Sequence, residues 1–413
     1  MNLPRRTTKA LARTLLVPAM ILVCLPPARA VVDTVATPEE GSSDPTWFAS
    51  NRRVATTKTG RVLVVHGAHA EGVQLKWRDP GEPWRKRTTG KVSDGLLLRD
   101  SGTGDWTASI ATATGGDGRE RAWVVWSGSS GAGNHRLQMR RLTGLGAAEG
   151  PRVGPTVTYE EPTHYSEVGG ASKVDLAFEK KPAGGYRGVL TWLEEVDADT
   201  YEITTAWFTA LGKARPSLHH QRVLSTEIGT GRIATLAPTP TGMAVVAVAG
   251  DGTELHMWRH EADTPLGTWI EATVGADVSS YGSPSAIALD NVNVLAEIES
   301  NTSTHTVTVQ RWDADGNATV DLVPSGQYEQ PTITTDGESA WIVMVRTSDQ
   351  RVVSRERTGM TWGLDIVEIG GAAGGDPDWP NAPRRISGKL QFIVKGPEHG
   401  ALQSAVLFRQ RRV

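Results

Sequence analysis

From about Trp47 onward apolar positions recur with a period of two, and no stretch carries the three-to-four spacing of an amphipathic helix. The alternation forms a repeated phrase: an apolar run, a tight turn with Gly, Asp or Asn, a β-branched run, then an alternating stretch ending in Trp or Arg. Two copies are clearest. Ile287 and Leu289 lead through Asp290-Asn291 to Val292, Val294 and Ala296, and Ile333 leads through Asp336-Gly337 to Trp341 and Val343. Asp-Gly between alternating runs signals a hairpin, because both central residues of the favoured turn take positive φ. Looser copies begin at Arg53-Val54, Ile110, Val174, Ile233 and Arg385-Ile386. Third strands follow at Leu75-Lys76-Trp77, Leu137-Gln138-Met139, Ile203 to Trp207, Leu255 to Trp258, Val307 to Trp312, Val352 to Arg355 and Val406 to Arg409. Fourth strands are expected to open at Trp84, Trp269 and Trp362.

Seven such units, roughly 45 to 67 residues apart, match the period of a four-stranded blade. The pattern predicts an all-β fold, a single β-propeller over residues 47–413. It has seven blades, or six if the long second and third units hide an insertion. The last unit ends after its third strand. A ring cannot leave that edge open without a row of unpaired backbone groups, so a strand from the other terminus must close it. Val31 to Val35 is the candidate, within an otherwise linker-like segment 31–46 rich in Thr, Glu, Ser and Pro.

Ahead of it stand Arg5, Arg6, Lys9 and Arg13, an apolar run from Leu15 to Leu25, and Ala28-Arg29-Ala30. A short apolar run closed by a small-x-small triplet reads as a cleaved secretory signal, residues 1–30, cut after Ala30. Its removal takes five basic residues and no acidic one, so a net charge of −3 becomes −8, and the single Cys, Cys24, goes with it. The expected product is a secreted, disulfide-free monomer held together by burial. Its acidity argues against nucleic acid or anionic membrane as partner, and no integral membrane segment is expected.

The stretch Trp77-Arg78-Asp79-Pro80-Gly81-Glu82-Pro83-Trp84 resembles the Asp-box of the sialidase and BNR-repeat superfamily, Ser-x-Asp-x-Gly-x-Thr-Trp. It keeps Asp79, Gly81 and Trp84 and lacks the Ser and Thr. Gly359-Met360-Thr361-Trp362 keeps the second half, with Arg357 where the Asp belongs, and Gly267-Thr268-Trp269 is a further fragment. The resemblance implies a degenerate member. In that family the box lies between the third and fourth strands of a blade, its carboxylate holding turn amides and its Trp packing between blades. The resemblance also implies a carboxylate-binding arginine at Arg53, although Ala55 replaces the family's Pro. The loop where the family keeps an Asp general acid offers only Glu71. Tyr159, Tyr201 and Tyr328 each have an adjacent Glu, but neighbours on an extended strand face opposite ways.

Catalytic candidates are therefore limited to Arg53 and Glu71, and the ligand-binding candidates are Arg53, Arg384 and Arg385, because guanidinium groups read carboxylates in bidentate fashion. His66, His69 and Glu71 are too few to make a metal site, and Asp313 to Asn317 reads as a hairpin turn, not a calcium loop. No metal and no cofactor are expected. Fourteen Trp against five Phe and six Tyr fit blade packing, and some offer faces for sugar rings. The expected function is non-catalytic binding of a glycan or a protein partner through the rim loops. The alternative is an exo-glycosidase of sialidase type with a degenerate site.

Overall fold

A computed structural model of the chain describes residues 31–36, 52–68, 72–85, 96–97, 108–129, 135–159, 174–197, 200–208, 215–228, 234–249, 254–272, 275, 284–289, 293–301, 303–370, 378–398 and 404–413. These residues form strands and turns without any helix, in seven antiparallel sheets of four or five strands. The inner strands, in order, are Val54–Thr56, Ala108–Thr114, Asp175–Lys180, Thr235–Thr239, Ser285–Leu289, Tyr328–Thr335 and Asp378–Asn381. Each lies against the next. The seventh meets the first where Asn381 Oδ1 accepts the Arg53 amide at 2.9 Å.

Between the blades lie seven hydrophobic clusters, among the described residues. An open arc of seven sheets would have six such interfaces, so the seventh is the signature of a closed ring. It is built by Val35 and Ala36, Val54, Val62 and Val64, and Ile393, Val406 and Phe408. Second strands such as Gly242–Ala249 are buried on both faces, which is why they read as nearly unbroken apolar runs.

The closing strand is where the sequence places it. Val31–Ala36 pairs antiparallel with Ser404–Arg412 as the outermost strand of the seventh blade, with a bulge between Thr34 and Ala36. Asp33 on this strand is paired with Arg78 of the first blade, so the closure is ionic as well as backbone-mediated.

Two strand expectations need correction. The first blade's outermost strand is Leu96–Leu97, and Trp84-Arg85 contributes only an isolated bridge from Arg85 to Trp77. Pro83 has no N–H with which to extend that ladder, and the Trp84 ring turns in against Phe408, with centroids 5.3 Å apart. In the seventh blade the inner strand is Asp378–Asn381 instead of Arg385-Ile386. The chain beyond Pro383 turns into the ring, and Arg385 makes a parallel bridge with Thr335 of the sixth blade.

Candidate functional site

The ring's axis is filled midway by a buried polar core. Arg52, just before the first inner strand, is fully buried and donates to the carbonyls of Ala286 (2.9 Å), Ile333 (2.8 Å) and Ala382 (3.1 Å) and to Thr332 Oγ1 (3.2 Å). Arg384 comes in from the seventh blade and donates to the carbonyls of Leu176 (2.7 Å) and Leu236 (2.8 Å) and to the Asp175 carboxylate. Asp175 also accepts from Ser109 Oγ (2.8 Å) and the Leu236 amide (2.8 Å). Burial and the neighbouring Arg384 push the Arg52 guanidinium's pKa down, against the pull of Asp175 and Glu297. Burial pushes the Glu297 carboxyl up to about 8, despite its hydrogen bond from Ser285.

Below this plug, on the face where the inner strands end, lies an axial depression of two adjoining lobes of about 390 and 450 Å³. Phe178, Tyr186, Pro238, Arg384 and Arg385 are common to both lobes. Lys58 and Glu120 line one, and Lys180 lines the other. Lys58, Lys180 and Arg385 are exposed. Arg385 rests on the sixth blade's hairpin, donating to the Asp336 carbonyl at 3.2 Å. Gly337 makes that approach possible. It sits at φ 107°, and a Cβ there would come within 2.7 Å of the guanidinium. Glu120 accepts the Lys58 amide at 2.9 Å, and burial raises its pKa.

The opposite face carries a second constellation. Glu299 lies two residues before the end of the second strand Asn293–Asn301, His305 just precedes the third strand Thr306–Trp312, and Glu329 is the second residue of the sixth inner strand. His305 Nδ1 lies 3.3 Å from Glu299 Oε1 and 3.5 Å from Glu329 Oε2. Glu299 Oε2 accepts the Gln330 amide (3.1 Å), and Gln330 Oε1 accepts the Trp379 amide (2.7 Å). His305, Gln330 and Trp379 all hold left-handed backbone, φ 50–51°, uncommon for such side chains. Burial raises the pKa of both carboxyls, and Glu299 adds to the rise at Glu329.

The arginines named from sequence separate. Arg384 belongs to the plug and Arg385 to the depression. Arg53 is buried, its guanidinium pKa lowered by burial to about 9, and it is Arg52 that reaches the axis. Glu71 and His69 lie outside the described residues, and His66 is buried with Nδ1 2.9 Å from the Gly67 carbonyl. The box residues sit at blade interfaces. Asp79 accepts Arg61 at 2.8 and 2.9 Å in place of turn amides, Gly81 takes φ 80°, and Trp84 meets the seventh blade. Gly359 takes φ 60°, Thr361 pairs with Thr358, and Trp362 donates to Asp321 of the fifth blade at 2.7 Å, as does Arg357 in the Asp position. Asp313 to Asn317 is a turn, Asp313 Oδ1 accepting the amides of Asp315 and Asn317. Phe178, Tyr186 and the Glu299–His305–Glu329 group were not legible in the sequence, since chain positions distant from one another supply them.

No protein-family model matches the chain, and no curated protein sequence does. Solved structures similar in fold include a polysaccharide lyase, a PL25 ulvan lyase bound to -[GlcA(1-4)Rha3S]-, with 12% identity, 92% of this chain and 95% of that one covered, and a TM-score of 0.54. A Dyadobacter fermentans protein of unknown function matches with 11% identity, 94% and 100% coverage and a TM-score of 0.52. The six-bladed fucose-recognising lectin of Aleuria aurantia is more distant, with 13% identity, 80% and 100% coverage and a TM-score of 0.47. The first two share this chain's overall fold, and the propeller assignment itself rests on the seven sheets and the seventh interface that closes them into a ring. Among the described residues no helix is long and apolar enough to cross a membrane.

Proposed function

We propose that the protein is a secreted, non-catalytic, sialidase-like propeller that binds glycans, acidic ones in particular, in its axial depression. The observation that carries this reading is the meeting of Phe178 and Tyr186 with Lys180 and Arg385 around one open cavity at the ring's axis. Aromatic rings offer apolar faces to sugar C–H groups, and exposed cations pair with a uronate carboxylate.

The absence of a hydrolytic role is supported by where the acids lie. Most glycoside hydrolysis needs two carboxyl groups flanking the bond, and the sialidase variant needs an Asp general acid beside a Tyr nucleophile activated by a Glu. Asp175 and Glu297 are fully buried, and Glu120 is the one carboxylate among the described lining residues. The Arg52 and Arg384 guanidinium groups are committed to backbone carbonyls and Asp175, which leaves no sialidase-like carboxylate clamp among them. At 12% identity the ulvan lyase lends a fold and no residue. Secretion is supported by the basic, apolar and Ala-x-Ala segments at the N-terminus, followed directly by the strand that opens at Val31.

The test is a glycan array of neutral and uronate-bearing oligosaccharides, followed by titration of the best binder. Binding should fall at least about tenfold in Arg385→Ala and in Tyr186→Ala while thermal melting stays unchanged. A blank array with folded protein overturns the reading. Release from a fluorogenic sialoside above that of an Arg53→Ala, Glu71→Ala double variant would overturn its non-catalytic part.

A further inference from the structure

On the face opposite the depression two largely buried carboxylates lack the guanidinium partner that several other buried carboxylates of this protein have. Glu179 is paired with Arg187, Asp175 with Arg384, Asp321 with Arg357 and Glu368 with Arg409. Glu299 and Glu329, whose side chains are 10% and 18% exposed, meet no Lys or Arg among the described residues; one imidazole, His305, faces both. Asp378 adds further negative potential at Glu329. Buried charge of one sign calls for a counter-charge, a proton or a metal ion.

The geometry distinguishes this group from an ordinary His–carboxylate contact. His256 also lies between two glutamates, but Glu271 meets its Nδ1 at 2.6 Å and Glu254 meets its Nε2 at 3.2 Å, on different ring nitrogens that cannot converge on one ion. His305 presents the same atom, Nδ1, to both partners. One Glu299 oxygen, one Glu329 oxygen and Nδ1 lie within 4.8 Å of one another. Ligands about 2.0–2.2 Å from a tetrahedral ion are separated by about 3.3–3.6 Å, and the two Nδ1–oxygen distances of 3.3 and 3.5 Å fall in that range. The Gln330 amide holds the other Glu299 oxygen and so orients Oε1 toward His305, the role that outer hydrogen bonds play around metal ligands.

We propose that Glu299, His305 and Glu329 form a binding site for a divalent ion of the zinc class, held by one nitrogen and two carboxylate oxygens with its fourth position open. The site joins the fifth and sixth blades and is independent of the glycan reading.

Chelator-treated full-length chain is titrated with Zn²⁺ and, as a spectroscopic probe, with Co²⁺. One equivalent of Zn²⁺ should bind per chain, and Co²⁺ should develop the intense visible bands of tetrahedral coordination. Affinity should fall at least about tenfold in Glu329→Gln and in His305→Asn, Asn being tolerant of the left-handed backbone, and remain unchanged in His256→Asn. Failure of folded wild-type chain to take up a stoichiometric ion overturns the proposal without reference to any variant. Unchanged affinity in a folded His305→Asn chain overturns it as well, and protons alone then balance the two carboxylates.

Discussion

Arg52 and Arg384 both reach the ring's axis, one from just before the first blade's inner strand and one from just after the seventh's, and between them they touch every blade. The Arg52 carbonyl accepts the Ile110 amide of the second blade, and its guanidinium reaches the fifth, sixth and seventh. Arg384 supplies the third and fourth. Inner-strand carbonyls facing an axis have no next strand to pair with, and two planar five-donor side chains satisfy several of them at once.

Arg384→Met removes the cation from Asp175, which is fully buried. Truncating one partner of a buried pair costs about 3–5 kcal/mol. Denaturant unfolding should show a loss of that order, and Arg384→Met combined with Asp175→Asn should lose clearly less than the two single changes added together.

Glu297 sets a pH dependence. Its folded pKa near 8 stands above the ordinary 4.5, so the folded state keeps a proton that the unfolded chain releases. Its contribution is greatest below about pH 4.5 and is lost as pH rises through about 8, at no more than about 1.4 kcal/mol per pH unit. Glu120, Glu299 and Glu329 shift in the same direction. Melting temperatures from pH 5 to 8 should fall in the wild type and fall less steeply in Glu297→Gln.

The closing strand separates two kinds of contact. Val35 is 3% exposed within the cluster joining the seventh and first blades. Val35→Asp buries an unpaired charge there and should open the ring, seen as a lower melting temperature and faster proteolysis near the C-terminal strand. Asp33, partly exposed beside Arg78, should cost about 1 kcal/mol or less on change to Asn.

Asp321 collects Arg357 and the Trp362 indole across the interface of the fifth and sixth blades, at 2.7 Å each. Asp321→Ala strands a guanidinium that is 4% exposed and should cost about 3 kcal/mol by denaturant unfolding. Recovery is expected when Arg357→Met is added.

What the sequence disclosed follows chain-local physics. Asp336-Gly337 does mark a hairpin, but only Gly337 takes positive φ: the loop runs over residues 336–339, and Asp336 Oδ1 accepts the Glu338 and Ser339 amides. Val31 to Val35 is marked by alternation and by a last unit one strand short. The axis was less legible. Arg52 reaches Ala286 across 234 positions and Arg384 reaches Asp175 across 209, and no period or spacing encodes such meetings. Arg53 and Arg52 look interchangeable as letters, yet only the folded ring decides which one faces inward. Glu299, His305 and Glu329 likewise come from two blades, and the left-handed residues around them, His305, Gln330 and Trp379, are not glycines, so the usual written signal for that conformation is missing.

Because residues 31–36 complete the sheet made by residues 378–412, the seventh blade joins strands from either side of the other six blades in sequence. A partly synthesised or half-threaded chain can build most of its sheets in turn but cannot seal the circle until its last strand arrives. Loss of residues 31–36 or of residues 404–412 therefore deprives the same joint.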